Sequence, residues 1–160
     1  MSRLLRLAIS VITAAIFTTA AFAEISPRDG WVIRKTAHDY QTLIERINEA
    51  AAANQVGVVT RASATVGAKE VLDIAIPGNM VVGLFHPRFA VRMLEASIAA
   101  GIEAPIRVYV TEEADGKATL SYKLPSFVFA PYMEEGGQKL KDLASELDAL
   151  FEKLTMQAAQ

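Results

Sequence analysis

Between Asn79 and Tyr132 a strand, a helix and a hairpin follow one another with almost no filler, and the hairpin tolerates only one pairing register. Asp115-Gly116 is a turn signal. A two-residue loop there would pair Val110 with Ser121 and Val108 with Lys123, mixing polar and apolar side chains on both faces. A three-residue loop, Ala114-Asp115-Gly116 with Gly116 left-handed, pairs Val110 with Leu120 and Val108 with Tyr122. Ile106, Val108, Val110, Leu120, Tyr122 and Leu124 then form one apolar face, and Arg107, Tyr109, Thr111, Thr119, Ser121 and Lys123 form the other. In this register Arg107 falls opposite Lys123, and like charges facing each other across a ladder repel. An acidic partner or an anionic ligand would relieve them.

The strand ahead of this hairpin is Met80 to Phe85, entered through the turn Pro77-Gly78-Asn79. At His86 the period changes from strand to helix. Pro87 suits the first helical position, and Phe89, Ala90, Met93, Leu94, Ser97 and Ile98 make one face up to Gly101, a good helix stop. Arg88, Arg92 and Glu95 take the other face. Two arginines on the first turns of a helix oppose the partial positive charge of its N-terminus, so something negative is expected there, either a bound anion or an acid from elsewhere in the chain.

Upstream, Trp31 to Lys35 reads as a short strand and Asp39 to Ala53 as a helix, with Tyr40, Leu43, Ile44, Ile47 and Ala51 recurring at three- and four-residue steps. Asn54 is expected to close that helix in the left-handed conformation. Val56 to Arg61 is a second strand, and the stretch from Ala62 to Pro77 holds a helical turn around Lys69 to Leu72. After Pro125, Pro131 and Gly136-Gly137, a last helix runs from about Gln138 to Thr155. Its leucines at 140, 143, 147, 150 and 154 span two heptads, too few for a convincing coiled coil, so the helix is expected to pack on the sheet.

The first residues read as an address. Arg3 and Arg6, the apolar run Leu7 to Phe17 and the small-x-small site Ala21-Phe22-Ala23 form a cleavable signal peptide over residues 1–23, which leaves a single domain over residues 24–160 and a periplasmic or secreted protein. The 17 residues from Leu7 to Ala23 fall short of a membrane span, which needs about 20 strongly apolar residues. The chain has no cysteine, which excludes a lipid-anchored lipoprotein and any disulfide. Without the leader's two arginines the net charge moves from −2 to −4, which argues against nucleic acid as a partner.

The run GLFHP followed by a helix, then APIRVYVTEEADGKATLSYKLPS and VFAPY, resembles the family known as domain of unknown function 302. The resemblance also takes in the strand and helix from Trp31 to Asn54 and the last helix. It implies an α+β fold in two layers, a mostly antiparallel sheet of about four to five strands with helices packed on one face, and a homodimer. It implies no activity. Members of that family commonly carry asparagine before the proline, where this chain has His86.

His86 is suited to metal binding or general base work, but the only other histidine is His38, and no HxH or HExxH spacing surrounds either. A capping or interface role is the expectation. Glu112, Glu113 and Asp115 read as a solvated turn, since the oxygen and glycine spacing of a calcium loop is missing. Ser121 and Ser126 have no histidine spaced to serve as a base. Tyr109, with apolar area and a polar tip, is a candidate ligand platform. The expected function is a non-catalytic binding or accessory module that holds a small anionic ligand or acidic partner with His86, Arg88, Arg107, Tyr109 and Lys123, with no metal or cofactor. The alternatives are an enzyme using His86 with a neighbouring carboxylate, and a structural homodimer subunit.

Overall fold

The computed structural model describes residues 24–160, and the expected signal peptide lies outside the described residues. The strands are β1 (Trp31–Lys35), β2 (Gly57–Ala62), β3 (Asn79–Phe85), β4 (Ile106–Glu112) and β5 (Ala118–Lys123). They form one sheet in the order β1-β5-β4-β3-β2, antiparallel at every step. The hairpin takes the expected register, with Val108 opposite Tyr122 and Val110 opposite Leu120. Gly116 closes its three-residue loop at φ 78°, a conformation open to glycine at little cost.

The helices are α1 (Tyr40–Ala53), α2 (Ala64–Leu72), α3 (Pro87–Ala96), α4 (Pro125–Phe129) and α5 (Met133–Ala159). α1 and α5 pack on each other over the inner face of the sheet, and α3 and α4 lean on α5. The core therefore joins Val82, Leu84, Val108, Val110, Leu120 and Tyr122 from the strands to Leu43, Ile47, Leu140, Leu143 and Leu154 from the helices. α5 packs on the sheet as its leucine spacing predicts: the Tyr122 and Phe151 rings meet at 5.8 Å, and Arg34 of β1 donates to Thr155 at 3.2 Å. Gly137, at φ 56° and ψ −150°, breaks the start of α5 where Gly136-Gly137 predicts a break.

Four local expectations are corrected. The left-handed residue after α1 is Gln55, at φ 59°, while Asn54 stays at φ −103° and donates its side-chain amide to the Ala50 carbonyl at 2.7 Å. α2 is a full helix because Ser63 caps it, accepting from the Val66 N–H at 3.3 Å. α3 ends at Ala96, before Gly101, because the Ser97 hydroxyl accepts the Ala100 N–H at 3.0 Å and bonds Glu135, which pulls the backbone out of the helix. The expected apolar face fails beyond that point: Leu94 is 47% and Ile98 83% exposed. Glu112 is more than a solvated turn residue, since its carboxylate accepts the Gly78 N–H at 2.7 Å and ties β4 to the entry of β3.

Candidate functional site on the open face of the sheet

α1, α3, α4 and α5 gather on one side of the sheet, so the alternate residues of each strand point to the other, which the start of α2 borders at Ala64. Register places Trp31 and Ile33 of β1, Thr119, Ser121 and Lys123 of β5, Arg107 and Tyr109 of β4, and Asn79 and Val81 of β3 on this outer face. It carries a groove of about 720 Å³, within the range of small-molecule sites. Three of the five residues singled out from the sequence line it: Arg107, Tyr109 and Lys123.

The groove is graded along the strands. Lys123 sits opposite Trp31 in the β1–β5 ladder, its ammonium 5.7 Å from the indole centroid, and Arg28 approaches the same ring at 5.0 Å. Continuing the β4–β5 register by one step puts Arg107 beside Lys123, as the hairpin reading requires. Arg107 has a neighbour the sequence did not announce: Glu103 lies 4.0 Å away, in the turn before β4. Tyr132 donates its hydroxyl to the same carboxylate at 2.9 Å, and this bond to an anion holds the phenol above its ordinary pKa. Two lining cations, Arg107 and Lys123, thus face one carboxylate at this end, with Arg28 against the indole beside them.

The middle and far end are apolar or already satisfied. Tyr109 and Val81 are cross-strand partners, and Val81 pairs in turn with Ala62. The polar groups beyond them are spent on their own loop. Ser63 donates to the Asn79 carbonyl at 2.7 Å, and the Asn79 side chain accepts the Ala64 N–H at 3.0 Å and donates to Thr65 and Pro77. Ser121 is the exception. It lies between Ile33 and Tyr109 in the sheet, is 0% exposed, and its hydroxyl has no hydrogen-bond partner. Thr119, two residues earlier on the same face, is 1% exposed and likewise unpartnered. Buried hydroxyls are ordinarily bonded, so both stand out.

His86 and Arg88 are elsewhere. His86 is the N-cap of α3, its Nδ1 accepting the Arg88 N–H at 3.3 Å, and its ring stands edge-on to Phe89 with centroids 5.1 Å apart. It borders a small apolar crevice with Val56, Phe89 and Leu150, and no carboxylate lies within ion-pair distance of it among the described residues. Of the two arginines expected to need an acid at the start of α3, Arg92 finds one within the chain, while Arg88 has no carboxylate within ion-pair distance among the described residues. Arg92 makes two 2.7 Å bonds to Glu146 of α5, which hold the Glu146 carboxyl below its usual range and the guanidinium above its own. The five residues therefore divide between the sheet face and the start of α3. Sequence reasoning missed Glu103, Ser121 and Trp31 as site residues, and only the outward alternation of β1 and β5 could have signalled the last two.

Among the described residues no group of three or more histidine, aspartate or glutamate side chains is arranged to hold a metal, and no helix is long and apolar enough to cross a membrane. A comparison with curated proteins found no match. The fold is similar to that of an uncharacterized conserved protein DUF302 from Bacillus stearothermophilus, seen in a crystal structure. The two share 17% sequence identity and superpose with a TM-score of 0.72 over 82% of this chain and 99% of that one. The model of the domain of unknown function DUF302 matches residues 32–157. That span covers β1 through nearly the end of α5, and the chain belongs to the DUF302 family.

Proposed function

We propose that the chain is an exported, non-catalytic binding or accessory module that holds a small anionic ligand in the groove on the outer sheet face. Arg107 and Lys123 are its charge partners, and Tyr109 is the platform beside them. One observation carries this reading: two cations oppose a single carboxylate at one end of a groove that also contains a buried, unpartnered hydroxyl. His86 and Arg88 drop out of the ligand set, because neither lines the groove.

Isothermal titration with a panel of small organic anions tests the site. Changing Arg107→Ala and Lys123→Ala together removes both charge partners, and about a tenfold loss of affinity is expected, in line with hydrogen bonds to charged groups. Unchanged affinity in a variant that still melts cooperatively contradicts the reading. Export is tested separately by N-terminal sequencing of protein recovered from outside the cytoplasm. A mature chain starting at Glu24 is expected, and an intact Met1 start contradicts it.

A further inference from the structure

The groove holds more information than the sign of its charge. Arg107 and Lys123 against Glu103 leave a net positive charge among the lining residues, with Arg28 against the Trp31 ring beside them, so this end favours an anionic head. Both cations lie at one end, in the row of Trp31 and Lys123. From the Arg107 row to the Asn79 row is four residues along β4, about 13 Å at the rise of a strand. Over that length the lining is Tyr109, Val81, Ala62 and Ala64, while Ser63 and Asn79 have their polar atoms bonded to one another or to neighbouring backbone. A ligand lying along this path meets charge first and then mainly apolar surface, with the Ser121 and Tyr109 hydroxyls as its free polar points.

Resting on the anion-binding reading above, the geometry points to a narrower ligand class: a monocarboxylate amphiphile, its carboxylate between Arg107 and Lys123 and its apolar body laid over Tyr109 and Val81 toward Ala62 and Ala64. The Ser121 hydroxyl, which lines the groove without a hydrogen-bond partner, offers a second polar contact partway along it. A small hydrophilic anion would leave the apolar length of the groove wet. A neutral apolar molecule would leave Lys123 without a counter-charge. The amphiphile satisfies both ends.

Titration of the full chain with decanoate, decanol, acetate and inorganic phosphate separates the two levels of this account. Decanoate is expected to bind more than about tenfold tighter than acetate, because each buried methylene adds about 0.8 kcal/mol. It is also expected to bind about tenfold tighter than decanol, because the alcohol leaves the cations unmet. Acetate or phosphate binding as well as decanoate overturns the amphiphile while leaving an anion site. Decanol binding as well as decanoate, or no binding by any of the four, overturns both. A Val81→Asp variant supplies a second readout. It places a carboxylate in the apolar stretch and should weaken decanoate about tenfold, and an unchanged decanoate affinity also overturns the amphiphile.

Discussion

The Arg107 guanidinium lies 4.0 Å from the Glu103 carboxylate, a contact within one turn of chain at the entry to β4. Lys123, beside Arg107 on β5, has no carboxylate within ion-pair distance among the described residues. Glu103 therefore acts as a resident competitor for any anion that approaches Arg107. Replacing it, Glu103→Gln, is expected to tighten decanoate binding about two- to fivefold, the range of a partly exposed ion pair. Calorimetric titration checks this, and an unchanged or weaker affinity counts against Arg107 as a ligand partner.

Ser121→Ala should separate stability from binding. The variant removes a buried hydroxyl that bonds nothing, so the unfolding free energy is expected to stay level or rise by up to about 1 kcal/mol. Ligand affinity should fall about threefold or more if the hydroxyl bonds the ligand. Urea denaturation and titration of the same sample measure both. A clear loss of stability would mean that the hydroxyl is satisfied in the native state.

Arg92 and Glu146 make stability between α3 and α5 depend on pH. Since the folded carboxyl titrates below its ordinary range, its contribution is fully present above the unfolded carboxylate's pKa and fades as pH falls through the folded value. Arg92→Ala should therefore lower the thermal midpoint at neutral pH. The two proteins should converge once the pH is taken below the carboxylate range, and a constant gap across that range contradicts the assignment.

The junction of α1 with α5 should be the most sensitive part of the core. Leu43 of α1 is fully buried, and Leu43→Ala is expected to cost about 3 kcal/mol in chemical denaturation, the middle of the range for leucine truncation in a packed core. A cost below about 1 kcal/mol would mean that the two helices are loosely seated.

The hairpin was legible because the side-chain period of a strand is two: a shift of one residue would have scrambled Val108, Val110, Leu120 and Tyr122 with their polar neighbours. The leucines of α5 were legible for the same kind of reason. Features set by a single hydrogen bond were not, as when Ser97 turns the chain out of α3 while its apolar spacing continues to Ile98. Arg107, Tyr109 and Lys123 could be grouped from the hairpin register alone, because two adjacent strands fix their relative positions. The relation of His86 and Arg88 to that group depends on which side of the sheet α3 packs, and no local pattern encodes this. Glu146, more than fifty residues from Arg92, was invisible for the same reason.

Trp31 is the chain's single tryptophan and forms one wall of the groove beside Lys123, so its emission reports directly on occupancy. The most direct measurement is a Trp31 fluorescence titration with decanoate, run on the natural chain and on the Arg107→Ala, Lys123→Ala double variant. A saturable change with affinity about tenfold weaker in the double variant is predicted. An emission that does not respond to decanoate, or equal affinity in the two proteins, contradicts a ligand site on the outer face of the sheet.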